Sequence, residues 1–333
     1  MLFKKLSITL VIVSSILFQI QNAFAAEVLL GGESIGIELQ YDGVCITGTY
    51  DISIDNKTYN PSSEGYQAGD LIISVNNHKI QSISELMKTV EKEIEKNQKI
   101  ILQIQRNQQI LDKTLKYQEE NGQFSTGLYV QDGLRGIGTM TYYNPETNSF
   151  GALGHLMADV ELSNSQNAIQ QGKIYDSYVK RINPSQNGSP GEKIADIGQI
   201  EIGTIYDNNS YGIYGSYINS QVSNKQLIST ATIDEVKEGE AYFLTVLDGK
   251  SISKCKINIT HLKKQKSASV KGITFEIIDE KVLSLTNGVV QGMSGSPIIQ
   301  NGKLVGCVTH VDVNVVHKGY GLYIDWMLEN DKG

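Results

Sequence analysis

Polar and apolar positions change period several times along the chain. Residues 6–20 are mostly apolar and carry no charge, behind Lys4 and Lys5. Strand-like alternation then begins with Ile35, Ile37 and Leu39, and residues 44–47 predict a second strand. Ala68-Gly69-Asp70 introduces an apolar run over 71–75, and Asn76-Asn77 suits the positive-φ corner of a hairpin. Ser82-x-x-Glu85 is a capping box opening a helix with Ile83, Leu86, Met87, Val90 and Ile94 on one face. Ile100, Leu102 and Ile104 alternate as a closing strand. Residues 113–126 are polar, broken by Asn121-Gly122, and predict a linker. From residue 127 to 333 short strand patterns alternate with glycine and asparagine turns, with few helix signals before Trp326. The fold class predicted is mainly β: an α+β module over 28–112, then a barrel or sandwich over 127–333. There is no internal repeat.

Composition narrows the function. The chain has 333 residues, 40% apolar and 20% charged, enough for a packed core in two domains. Its 32 glycines against 5 prolines favour tight turns and β structure. A formal charge of −7 gives no basic surplus to displace counterions, which argues against a nucleic-acid partner. Three scattered cysteines do not make a disulfide framework. At the N-terminus, the apolar run of 6–20 is shorter than the roughly 18–20 residues that span a bilayer comfortably. With Lys4 and Lys5 before it and Ala23-Phe24-Ala25 after it, residues 1–25 read as an export signal or N-terminal membrane anchor. The expected working place is therefore outside a cytoplasmic membrane, with membrane contact only through this segment.

The A-G-D-Φ-I-x-x-V-N run at 68–76, with the strand and helix order around it, resembles a PDZ domain of the kind attached to exported serine proteases. That resemblance implies a peptide added as a strand beside an exposed edge. The matching carboxylate-binding loop is Gly32-Glu33-Ser34-Ile35-Gly36-Ile37, so Gly32, Ser34, Ile35, Gly36 and Ile37 become the expected peptide-binding residues.

The strongest chemical feature is Gly292-Met293-Ser294-Gly295-Ser296-Pro297, between the apolar pair Val289-Val290 and the strand pattern Ile298-Ile299. A serine flanked by glycines can sit on a tight turn with its Oγ exposed. The same turn can aim the N–H groups of Gly292 and Ser294 at one point, an oxyanion hole. The motif resembles the nucleophile loop of chymotrypsin-like serine proteases. A serine hydroxyl needs a base. His155 lies in the glycine-rich, apolar stretch Phe150-Gly151-Ala152-Leu153-Gly154-His155 and precedes Ser294 in the chain, the order of two-barrel proteases. His310, just after the serine strand, is the reserve candidate. For the acid that orients the imidazole, spacing alone leaves Asp159 and Asp279 open.

Longer motifs extend the resemblance. Gly151-Ala152-Leu153-Gly154-His155, the stretch 289–303, Gly306-x-Val308-Thr309-His310-Val311, Gly136-Ile137-Gly138-Thr139-Met140-Thr141 and Pro190-Gly191-Glu192-Lys193 resemble the SpoIVB peptidase family of endospore-forming Firmicutes. The resemblance spans nearly the whole chain. It implies a PDZ domain followed by a chymotrypsin-like double β-barrel, with His155 as base, Ser294 as nucleophile and Asp279, fifteen residues before the serine, as third member. It further implies an enzyme exported into the forespore intermembrane space, which cuts itself and a membrane-bound regulator of an intramembrane protease, leading to late sigma factor activation.

Two other functions fit parts of the pattern: a broad envelope quality-control protease, and a PDZ scaffold that binds without cutting. Cys307-x-x-His310 with His317 lacks a second ligand pair of zinc-like spacing, so no metal and no cofactor are expected. Residues 183–193, rich in Asn, Ser, Gly and Pro, read as a mobile loop beside the cleft.

Overall fold

The computed structural model describes residues 26–331 apart from 97, 108, 159–168, 219 and 221. The segment 1–25 and Asp159 lie outside the described residues. The chain opens with β1 (Glu27–Leu30) and the sixteen-residue β2 (Ser34–Thr49). The distal half of β2 enters a small α+β module. Its elements are β3 (Ile52–Ile54), β4 (Lys57–Tyr59), β5 (Leu71–Val75), β6 (His78–Lys79), α1 (Ile83–Glu95), β7 (Ile101–Arg106), β8 (Gln109–Thr114), β9 (Gln118–Glu120) and β10 (Gln123–Ser125). The Ser82 side chain accepts from Glu85 N–H, as the capping pattern predicts, and Leu86 and Val90 of α1 pack on Ile72, Val75, Leu102 and Ile104. Asn76 and Asn77 turn the β5–β6 hairpin at φ 46° and 67°. Buried Asp70 is held by Arg106 through Nε–Oδ1 at 2.5 Å and Nη2–Oδ2 at 2.7 Å. The stretch expected as a linker is instead part of the module: β9 and β10 form a hairpin, and Leu115 is buried in the module core.

The module begins inside β2, not at residue 28. The chain leaves it through β11 (Leu128–Asn144), which pairs with β2 along nearly its whole length, from Leu128↔Thr49 to Thr139↔Ser34. The module is thus an insertion carried on a two-stranded ribbon, and the proximal half of β2 belongs to a barrel. That barrel closes through β2, β11, β12 (Ser149–Ala152), β13 (Ile169–Asn183), β14 (Glu192–Asn209) and β15 (Gly212–Tyr217). The ring runs β2–β11–β12–β15–β14–β13 and returns to β2. Ile35, Ile37, Leu39, Met140, Phe150, Ile174 and Ile213 fill its core.

This overturns the peptide-binding assignment. Ile35 pairs with Gly138 on one side and Asp176 on the other, and Ile37 pairs with Gly136 and Ile174. Ser34, Ile35, Gly36 and Ile37 are buried, and Gly32 is buried with its N–H donated to Met140 O. A peptide joins a sheet only at a free edge. This strand has none.

A short strand, β16 (Leu227–Ser229), pairs with β1 and leads into the second barrel. Its strands are β17 (Gly239–Asp248), β18 (Ser251–Leu262), β19 (Ile273–Ile277), β20 (Pro297–Gln300), β21 (Lys303–Val311) and β22 (Lys318–Tyr323), closed in the order β17-β18-β19-β22-β21-β20. Helix α2 (Glu280–Thr286) follows β19, and α3 (Ile324–Glu329) follows β22. Phe243, Ile257, Phe275, Ile298 and Val308 form the core. A fourth apolar cluster, including Tyr142, Tyr214, Ile299, Cys307, Leu322 and Met327, joins the two barrels. Asp331 locks the chain end to the first barrel, accepting from Tyr142 Oη at 3.0 Å, Ser149 Oγ at 2.6 Å and Tyr206 Oη at 2.7 Å. The architecture is mainly β with two six-stranded barrels, and among the described residues no helix is long and apolar enough to cross a membrane.

Candidate active site

Two loops from different barrels meet against Thr309 and His310 of β21. From the first barrel, Leu153 and Gly154 adopt φ 67° and 71° directly after β12 and turn the chain sharply into His155. Gly154 has no room for a side chain, since a Cβ there would lie 2.4 Å from Cys307 Sγ. From the second barrel, the 291–296 turn has Gly292 at φ 91° and Gly295 at φ 90°. Gly295 lies so close to the first barrel that a Cβ would sit 2.0 Å from Thr139 O and 2.5 Å from Leu153 N. Glycine is required at both positions by sterics and by dihedral.

The carbonyls of the serine turn are fastened one by one. Gln291 O accepts from Lys193 N–H at 2.9 Å, Gly292 O from Thr139 Oγ1 at 2.8 Å, and Met293 O from Ser296 N–H at 3.0 Å. Ser294 O accepts from Thr139 N–H at 2.9 Å and Gly295 O from Thr141 Oγ1 at 2.7 Å. Of the N–H groups from 291 to 296, those of Gln291, Met293, Gly295 and Ser296 also have backbone partners. The N–H groups of Gly292 and Ser294 have none among the described residues. In a trans peptide the N–H points opposite the preceding C=O. Fastening Gln291 O and Met293 O therefore fixes the directions of these two free donors. Two preset donors are what a developing oxyanion needs.

Ser294 is half-buried, and its Oγ donates to Thr309 O at 2.9 Å. His155 stacks at a tilt on His310, ring centroids 5.1 Å apart. Its Nδ1 lies 2.8 Å from Leu156 O. A carbonyl only accepts, so in the neutral ring Nδ1 carries the hydrogen and Nε2 holds the lone pair, the tautomer a base requires. Burial holds the His155 pKa below its usual value, opposed by the Leu156 carbonyl, so the imidazole is neutral at pH 7. His310 is pushed down to about 4 by burial, with His155 and Lys271 adding to the effect, and its Nδ1 is buried without a hydrogen-bond partner. The structure thus brings the serine and histidine loops to one place, with Oγ and imidazole each resting on a backbone carbonyl.

Asp279 is not brought to this place. It is the N-cap of α2: Oδ1 accepts from Lys281 N–H at 3.2 Å and Val282 N–H at 3.3 Å, and Oδ2 accepts from Lys256 N–H at 3.3 Å. It makes no hydrogen bond to His155, whose orienting partner is the Leu156 carbonyl. The position that the family resemblance puts forward as third member is a helix-start position, and its carboxylate is taken up by capping. The 184–191 connection is not loose either. Ser185 is fully buried, donates to Val289 O at 2.7 Å and accepts from Gly191 N–H, and Gly188 N–H reaches Val313 O. Among the described residues no group of three or more His, Cys, Asp or Glu side chains is placed to hold a metal ion. Cys307 packs its thiol on Met327 Sδ at 3.7 Å.

Sequence reasoning missed Lys193, Thr139, Thr141 and the Thr309 carbonyl. Thr139 and Thr141, two apart on one strand, share a face. That spacing in the Gly-rich 136–141 stretch was the available signal for the two hydroxyls.

Two closed barrels, a glycine-flanked serine with two preset amides and a neutral imidazole from the opposite barrel define a serine peptidase. The chain belongs to the SpoIVB peptidase S55 family, whose model matches residues 122–328. Among solved structures it is similar to the active form of the Rv3671c protease from M. tuberculosis, at 15% identity, TM-score 0.34, covering 61% of this chain and 76% of that one. The inactive form of the same protease gives 14% identity, TM-score 0.35, and coverage of 59% and 84%. No curated protein matches the chain.

Proposed function

We propose that this peptidase is an exported endopeptidase in which Ser294 attacks a peptide carbonyl, His155 takes the proton at Nε2 and returns it to the leaving amine, and the amides of Gly292 and Ser294 hold the oxyanion. Rotation of the Ser294 side chain off Thr309 O brings Oγ toward the imidazole. The Leu156 carbonyl orients the ring. The observation that carries this reading is the fastened 291–296 turn, which leaves two amide hydrogens free, on either side of Met293. Each such donor is typically worth about 3–4 kcal/mol of transition-state stabilisation.

The family and the signal-like N-terminus support the biological part of the proposal. The enzyme acts in the forespore intermembrane space, cuts itself, and cuts a membrane-bound regulator of an intramembrane protease, so releasing late sigma factor activity. The inserted module, rather than the strand 34–37, is the part of the chain available to contact such partners. Mass spectrometry of the mature protein from sporulating cells, beside a Ser294→Ala strain, tests this. Truncated products present in the parent and lost in the variant are expected. Identical products in both strains would remove self-cleavage by Ser294.

A further inference from the structure

Lys193 is a lysine inside the protein, 4% exposed, directly behind the serine turn. Its Nζ donates to Thr245 Oγ1 at 2.7 Å and to Thr139 Oγ1 at 3.4 Å, and no carboxylate pairs with it among the described residues. A buried cation with only hydroxyl partners is costly, so an ordinary structural role explains it poorly. Its surroundings are specific. The Lys193 N–H holds Gln291 O, while Gln291 N–H returns to Gly191 O at 2.7 Å. Its stem forms the wall under Gly292, where a Cβ would meet Lys193 Cδ at 3.0 Å and Cβ and Cγ at 3.2 Å. Thr139, which receives from Nζ, donates onward to Gly292 O at 2.8 Å.

We propose that Lys193 is a positioning residue for the oxyanion-binding turn, its backbone N–H and its ammonium, relayed by Thr139, fixing the peptides on both sides of Gly292. The inference rests on the reading of Ser294 as nucleophile. A hydroxyl that accepts from an ammonium is a stronger donor in turn. The relay therefore stiffens the peptide just after Gly292 while the backbone bond fixes the one just before it. A positive charge in this buried setting also favours the negative oxygen of the transition state. The groups facing Nζ are Thr139 of β11, Thr245 of β17 and Cys255 of β18, whose thiol is pushed up to about 12 by burial and stays neutral. Burial brings Lys193 itself down to about 7, so the ammonium discharges around neutrality. Two limbs are then expected in the pH profile: an acid limb from His155, below its ordinary value, and an alkaline limb from Lys193.

The test is the rate at which the purified full chain is labelled by a fluorophosphonate, which reports serine nucleophilicity and oxyanion binding without needing the natural substrate. Ser294→Ala must abolish labelling; if it does not, the reading of the nucleophile fails, whatever Lys193 does. With that control in place, Lys193→Met should label on the order of tenfold more slowly, by analogy with a weakened oxyanion donor, and should lose the alkaline limb while keeping the acid one. Thr139→Val should slow labelling similarly, and Thr139→Ser should restore it. The Thr139 pair decides the matter if Lys193→Met does not fold. A folded Lys193→Met that labels at the parent rate with the alkaline limb intact, or Thr139→Val labelling as fast as Thr139→Ser, overturns the inference.

Discussion

Replacing Lys193 by methionine isolates what it costs to keep an ammonium inside this protein. Burial lowers the Lys193 pKa from 10.5 to about 7. That displacement corresponds to about 5 kcal/mol, at about 1.4 kcal/mol for each pH unit. Below pH 7 the side chain is protonated in the folded and unfolded chain alike, and the folded state carries the whole penalty. Between 7 and 10.5 the unfolded chain keeps a proton that the folded chain has released, so stability rises with pH by about 1.4 kcal/mol per unit. Above 10.5 the penalty is gone. Methionine cannot titrate and matches the stem, but it strands the Thr245 hydroxyl, a loss of about 1–3 kcal/mol. The variant is therefore expected to be about 2–4 kcal/mol more stable than the parent near pH 6 and about 1–3 kcal/mol less stable above pH 10.5, the difference changing sign at alkaline pH. Urea unfolding of both proteins across this range measures it. Tyrosines and cysteines that do not face Lys193 are common to both proteins and cancel in the difference. Two curves that run parallel, without crossing, would show that the Lys193 ammonium is not destabilised by burial. A variant more stable and less active at neutral pH would show the lysine retained for chemistry at the expense of stability.

Substitutions at two further positions test the helix cap and the approach of the two barrels. Asp279→Asn retains an oxygen that can cap α2 and is expected to keep fluorophosphonate labelling near the parent rate, whereas Asp279→Ala should lose about 1 kcal/mol of stability in thermal unfolding. A drop of roughly 10⁴-fold in the Asn variant, the size seen when an orienting aspartate is lost, would instead return Asp279 to the catalytic group. Gly295→Ala puts a methyl 2.0 Å from Thr139 O at φ 90°. It should destabilise by more than about 3 kcal/mol and abolish labelling, and an unchanged melting temperature would contradict the close approach of the two barrels.

Some of this structure was legible in the sequence because the signal is local. The Ser82–Glu85 pattern specifies a helix start through bonds within one turn, and Asn76-Asn77 specifies a positive-φ corner; both appear where expected. Gly292 and Gly295 announced a turn no other residue accommodates. What was not legible is pairing. Ile35, Ile37 and Leu39 alternate identically whether their strand closes a peptide-binding module or lines a barrel, because period two encodes a buried face and not the neighbour across the ladder. The insertion of the module inside β2 therefore left no trace in periodicity. Asp279 was ambiguous because spacing left it level with Asp159, and the short helix it caps gave no periodic signal in the sequence. In the sequence Lys193 ends the polar 183–193 loop and the Pro190–Lys193 stretch, with nothing to mark its side chain as buried. Only its depth, set by contacts with Gly292, Thr139 and Thr245 from three other segments, gives it meaning.

In the proposed mechanism the Ser294 hydroxyl is the nucleophile, activated by an imidazole from the opposite barrel. Peptide mapping by mass spectrometry after fluorophosphonate treatment of the full chain tests it most directly. One covalent adduct is expected, on Ser294, missing after Ser294→Ala and strongly diminished after His155→Ala. An adduct on another residue, or undiminished labelling of Ser294 without His155, would contradict it.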